Sequence, residues 1–88
     1  MITYTINRNF SVKDFMKHLQ IDFIYSYRPE TKSYYILDQT MYGEISRGIV
    51  ESQKLHNRIV IINNTTFKLE AYNIEQDELN EVFMKMNE

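Results

Sequence analysis

Histidine is the residue type suited to proton exchange near neutral pH, and this 88-residue chain has two, His18 and His56, so general acid–base chemistry would run through one of them or through a perturbed carboxylate. His18 closes a run of helical periodicity, where its cationic form complements the helix dipole. His56 lies in a polar stretch ahead of a strand and reads as a loop residue. Both have a use that needs no substrate. Two glycines are too few for a loop that cradles phosphate, and no serine stands in a nucleophile elbow. The absence of cysteine removes thiolate ligands and disulfides together. The sequence nominates no catalytic residue, no metal-ligand set and no cofactor site, and the expectation is a protein that is not an enzyme.

Binding chemistry is better represented. Asp77, Glu81, Met84 and Glu88 recur at i, i+4, i+7 and i+11, which puts them along one side of a C-terminal helix, opposite its apolar stripe. Carboxylates at i, i+4 repel by ~0.2–0.5 kcal/mol, and a methionine among them is an adaptable apolar group turned to water. The expectation is an acidic face that docks on a protein with a basic surface; the plain alternative is a solvated helix face. A second set lies in one hairpin, where Tyr25, Tyr27, Tyr34 and Tyr35 accompany Arg28 and Lys32. Aromatic rings beside cations can stack unpaired bases of single-stranded nucleic acid while the charges follow phosphate. Tyrosine pairs across a hairpin also stabilise it without any ligand, by ~0.2–1 kcal/mol each.

Charge weighs between the two readings. The net charge of −2 is the sum of unlike parts: residues 1–69 hold nine Lys/Arg against six Asp/Glu, and residues 70–88 hold six acids against Lys85 alone. The first part is only weakly basic for a nucleic-acid binder, and the second repels a phosphate backbone.

The elements that must carry these groups follow from periodicity. Val12, Phe15, Met16 and Leu19 form one helical stripe, and Leu79, Val82, Phe83 and Met86 another. The first helix has a marked start: Ser11 is placed to cap the amide of Asp14, and Phe10 and Phe15 hold the staple positions. For the second, Asn73 with Gln76 resembles a capping box, followed by acids in the first turn.

Strands are expected where the pattern alternates. Residues 2–7 place Ile2, Tyr4 and Ile6 on one face. Ile21, Phe23, Tyr25 and Tyr27 share a face, and residues 21–38 read as a hairpin broken by a loop of about five residues around Pro29. Arg58–Ile62 is an aliphatic run buried on both sides. Asn63-Asn64-Thr65 suits a tight reversal, since asparagine accepts positive φ, and Thr66–Tyr72 returns with Phe67, Leu69 and Ala71 inward. Segment 40–56 pairs a Met41, Ile45, Ile49 stripe with alternating charges but carries Gly43 and Gly48; it reads as a helix, with a loop and short strand as the competitor.

The order β-α-β-β-(α)-β-β-α predicts a small α+β domain over residues 1–88, with about five largely antiparallel strands and two or three helices on one face. An open sheet leaves two edges, which a homodimer would cover. The longest purely aliphatic run, Ile59–Ile62, is far short of a membrane span, and residues 1–8 have no basic leader followed by an apolar stretch. A cytoplasmic protein without membrane contact is expected. Eleven Ile, eight Asn, seven Tyr and six Lys are residues of AT-rich coding. Small motif-free proteins from such genomes include phage and mobile-element products that bind and block a host or defence protein, the form of interaction module favoured here.

Overall fold

The computed structural model describes residues 1–38, 54 and 57–87. Its elements are β1 (Ile2–Thr5), α1 (Val12–His18), β2 (Phe23–Arg28), β3 (Ser33–Asp38), β4 (Ile59–Asn63), β5 (Lys68–Tyr72) and α2 (Gln76–Met86). The strands form one antiparallel sheet in the order β1-β5-β4-β3-β2. Strands β2 to β5 are spatial neighbours in chain order, while β1 lies beside β5 at the far edge. The α1 connection therefore carries the chain from one edge of the sheet to the other. The expectations for segment 40–56, His56 and Glu88 lie outside the described residues.

Strand register decides which side chains meet. Ile2, Ala71, Val60, Ile36 and Tyr25 form one row across the sheet, and Tyr4, Leu69, Ile62, Tyr34 and Tyr27 the next. Both helices pack on this face, where Val12 and Phe15 of α1 and Leu79 and Val82 of α2 join Ile36, Val60, Ile62, Leu69 and Ala71 in one buried cluster. Each of these side chains larger than alanine contributes ~1.5–3 kcal/mol when removed from water. Met16, Leu19, Phe83 and Met86 pack at the margin of that cluster, so both helical stripes face inward as their spacing requires.

The opposite face is apolar too. Leu37, Ile59 and Ile61 are buried there, with Ile24, Tyr35 and Tyr72 packed against them. Strand β4 thus buries consecutive residues on alternating sides, which is why its aliphatic run shows no alternation.

Helix α1 starts as its sequence dictates: Ser11 Oγ accepts the Asp14 N–H at 3.1 Å, and the Phe10 and Phe15 rings lie 5.9 Å apart. Helix α2 does not. Its N-cap is Glu75, whose side chain makes no cap hydrogen bond, so the capping box of Asn73 and Gln76 does not form. Asn73 instead takes a φ of 60° and donates its Nδ2 protons to the carbonyls of Lys54 and Asn57, at 3.0 and 2.7 Å. Acids Asp77 and Glu78 in the first turn serve the exposed helix amides through the dipole.

The β4–β5 reversal also differs in detail from expectation. Asn63 acts through its side chain, Oδ1 accepting the N–H groups of Thr65 and Thr66 at 2.8 and 3.0 Å. Phe67, not an asparagine, carries the positive φ of 56°, so it closes the turn and is exposed rather than inward. Ile21 likewise precedes β2 instead of belonging to it. The β2–β3 loop spans residues 29–32 and ends on Lys32 at φ 51°. Asn64 N–H donates to Lys32 O at 3.0 Å and Thr65 Oγ1 to Thr31 O at 2.8 Å, so the two turns brace each other.

Candidate functional site

Helix α2 is held from below by Leu79 and Val82, and its far side is a platform facing water. Asp77 and Glu81 are exposed, and Met84 is 70% exposed. From Asp77 to Met84 is about 10 Å along the axis at ~1.5 Å per residue, so the three side chains make one short row. Lys85 Nζ lies 3.5 Å from Glu81 Oε1, an exposed i,i+4 pair of little strength. Asp77 has no ion-pair partner among the described residues. The row is fixed by the helix and carries net negative charge around one apolar group.

The flank of α2 toward α1 has a different character. Arg58, just before β4, reaches Asp38 Oδ2 with Nε at 3.4 Å and Glu78 Oε2 with Nη1 at 3.5 Å, joining the sheet to the first turn of α2. A cleft of about 160 Å³ opens beside it, floored by Leu19, Ile21, Ile74 and Val82 and rimmed by Glu78 and Glu81. Sequence reasoning missed this bridge, because its partners lie 20 residues apart on elements that only the sheet order brings together.

The tyrosine hairpin is divided by its own alternation. Tyr25, Tyr27 and Tyr34 lie on the helix-bearing face toward the β2 edge, with Tyr34 6.2 Å from Tyr25 and 4.7 Å from Tyr27. Tyr25 and Tyr27 are 55% and 44% exposed. Arg28 and Tyr35 are on the other face, where the guanidinium sits 4.3 Å over the Tyr35 ring. Lys32 is exposed in the turn. The rings and the strand cation nominated together from the sequence therefore do not form one surface.

Among the described residues Tyr72, on the same face as Tyr35, is the one titratable group clearly displaced. Its burial, then its hydrogen bond to Glu70 Oε2 at 2.9 Å and the charge on that carboxylate, raise the phenol above its ordinary 10.0; Lys54, 5.1 Å over the ring, opposes them.

His18 lies in the last turn of α1 with Lys17, the position at which positive charge meets the helix dipole. Among the described residues no three His, Cys, Asp or Glu side chains converge as a metal site would require. No described helix is long and apolar enough to cross a membrane. Comparisons with protein-family models, with curated proteins and with solved structures returned no match to this chain.

Proposed function

We propose that this chain is a non-enzymatic interaction module that docks the outer face of α2 on a basic protein surface. The observation that carries the proposal is Met84, 70% exposed on a helix whose other side is locked into the core. A methionine this exposed adds little burial to the fold, and on a rigid helix it can fill an apolar pocket on a partner. Asp77 and Glu81 beside it supply steering toward positive charge and repel unsuited partners. In its finer form the proposal is an inhibitor of phage or mobile-element type, acting in the host cytoplasm. Its carboxylates would occupy a basic groove of a host or defence protein. Single-stranded nucleic-acid binding by the tyrosine hairpin draws less support, because Arg28 is stacked on Tyr35 on the face away from Tyr25 and Tyr27.

The test is affinity capture from lysate with and without nuclease, read by mass spectrometry, using the wild-type chain and the double variant Glu81→Lys with Met84→Ala. The variant loses the Glu81–Lys85 pair, but the lysine introduced in place of Glu81 attracts Asp77 at the same i,i+4 spacing. The fold is therefore expected to stand within ~0.5 kcal/mol of wild type. Loss of a central anchor and reversal of one charge weaken binding by ~1–3 kcal/mol, or roughly 5–150-fold. A nuclease-resistant partner retained at full strength by the variant refutes the α2 face, and capture abolished by nuclease returns the question to the tyrosine hairpin.

A further inference from the structure

The two edges of the sheet are not alike. Strand β2 follows Asp22, ends in Arg28 and is followed at once by Pro29, residues of the kind that keep an edge from pairing with another chain. Strand β1 has no such guard: residues 1–7 contain no charged side chain and no proline, and alternate Ile2, Tyr4 and Ile6 with Thr3 and Thr5. Its inner side is paired with β5, and among the described residues nothing lies on its outer side.

Hydrogen bonding fixes which groups face outward. Ile6 N–H donates to Phe67 O at 2.9 Å, and the antiparallel ladder alternates from there. The backbone groups of Ile2, Tyr4 and Ile6 accordingly turn to β5, and the N–H and C=O of Thr3 and Thr5 turn away from the sheet. The part of α2 beside this edge is uncharged as well. Gln76 Nε2 donates to Tyr4 Oη and to Asn80 Oδ1, Phe83 meets the Tyr4 ring edge-on at 5.0 Å, and Asn87 closes the row. The helix carboxylates lie elsewhere, Glu78 on the cleft toward α1, and Asp77 and Glu81 on the outer face with Glu81 also at the cleft rim. A notch of about 270 Å³ along β1, lined by Tyr4, Ile6, Phe10, Phe83 and Met86, is mainly apolar in its side chains.

We infer that β1 is a dimerisation edge, on which a second copy of this chain lays its own β1 antiparallel about a two-fold axis through Tyr4. That register sets Thr3 opposite the partner's Thr5, so the outward N–H and C=O groups of both residues exchange hydrogen bonds on either side of the axis. It sets Ile2 opposite the partner's Ile6, at the rim of the notch, and stacks Thr on Thr on the other face. Like side chains meet like, and the strand and the flanking helix row bring no charge against its own copy; the one cation beside the threonine face among the described residues is Lys68 of β5, whose Nζ donates to Thr5 Oγ1 at 3.1 Å. Charged or proline-bearing strands, such as the β2 edge, lack this self-complementarity.

The edge is separate from the α2 outer face, so either proposal can fail without the other. Sedimentation equilibrium of the wild-type chain is expected to give twice the 10.7 kDa chain mass. Thr5→Pro removes an N–H that points away from β5, and is expected to yield a monomer with an unchanged circular-dichroism spectrum. Thr3→Lys, which places a charge on the same edge, gives the same result should the proline variant not fold. Because the chain has no cysteine, Thr3→Cys mixed with Thr5→Cys reports register: mixed disulfide dimers form ahead of either homodimer. A wild-type monomer from about 1 μM to about 1 mM, the span from specific to weak association, overturns the inference. So does a dimer that withstands both Thr5→Pro and Thr3→Lys, and homodimer cross-links matching the mixed ones overturn the register.

Discussion

Replacing Phe15 by alanine tests the packing on which every surface described above depends. The side chain is 0% exposed and sits where the elements converge, its ring 5.9 Å from Phe10 and 6.0 Å from Phe83, which in turn meets Tyr4 of the sheet edge. Truncating a buried phenylalanine costs ~3–5 kcal/mol in lost transfer energy and residual cavity. A chain of this length has ~4–13 kcal/mol in total, from ~0.05–0.15 kcal/mol per residue. At ~4–8 °C per kcal/mol for a domain of this size, Phe15→Ala lowers Tm by about 12–40 °C. Phe15→Leu keeps most of the volume and costs below ~1.5 kcal/mol, which leaves a measurable folded state if the alanine variant has none. Urea unfolding followed by circular dichroism and tyrosine fluorescence gives both numbers, with the slope against urea unchanged. A double-mutant cycle of Phe15→Leu with Phe83→Leu should return a coupling of ~0.5–1.5 kcal/mol for the ring pair that joins α1 to α2. A cost under ~1 kcal/mol for Phe15→Ala, or no coupling to Phe83, would mean that α1 does not pack where it is placed, and the reasoning fails.

Ser11→Ala removes the 3.1 Å cap on Asp14 N–H and should lower stability by ~0.5–2 kcal/mol, seen as a lower urea midpoint. Lys32→Gly should raise that midpoint: Lys32 uses only its backbone in the turn and holds φ 51°, a conformation costing ~1–2 kcal/mol, against ~0.4–1 kcal/mol of extra unfolded-state freedom for glycine. Tyr72 makes stability fall in alkali. Its folded-state pKa is raised, so the folded protein holds the proton more tightly; that contribution is complete below the unfolded value of 10.0 and is lost as pH rises through the folded one. Tyr72→Phe should flatten this part of the stability–pH curve, and a wild-type curve equally flat would remove the effect.

What could be read directly from the chain was whatever its local pattern determines. Ser11, Phe10 and the stripe of Val12, Phe15, Met16 and Leu19 all specify α1 independently, and all three signals agree with its observed start and inward face. The aliphatic run of β4 announced burial on both faces for the same reason, since four consecutive buried residues need no distant information. The failures arise where a distant partner decides. Asn73 had the right spacing for a cap, but the carbonyls of Lys54 and Asn57 claimed its side-chain amide, and Glu75 took the N-cap position. Phe67 fitted the alternation of β5, yet the Asn63 side chain fixed the turn so that the left-handed residue fell on a phenylalanine. The hairpin aromatics and Arg28 are close in sequence, but strand alternation puts Tyr25 and Tyr27 on one side and Arg28 on the other. The row of Asp77, Glu81 and Met84 was legible as a helix side; the Arg58 bridge and the place of β1 at the end of the strand order were not, because both exist only once strand order is set.

The crossing of α1 over the sheet also bears on the order in which the chain assembles. Strands β2 and β3, and β4 and β5, meet across turns of a few residues, whereas Thr5 finds Lys68 from 63 residues away. Closing so long a segment costs entropy that neighbouring pairings do not require, so the N-terminal strand is expected to join last. Until then the flank of β5 stands open to solvent and to other chains in the cell. Lys68 and Glu70 put opposite charges on that otherwise apolar ribbon, the kind of placement expected to slow misassembly before its proper neighbour arrives.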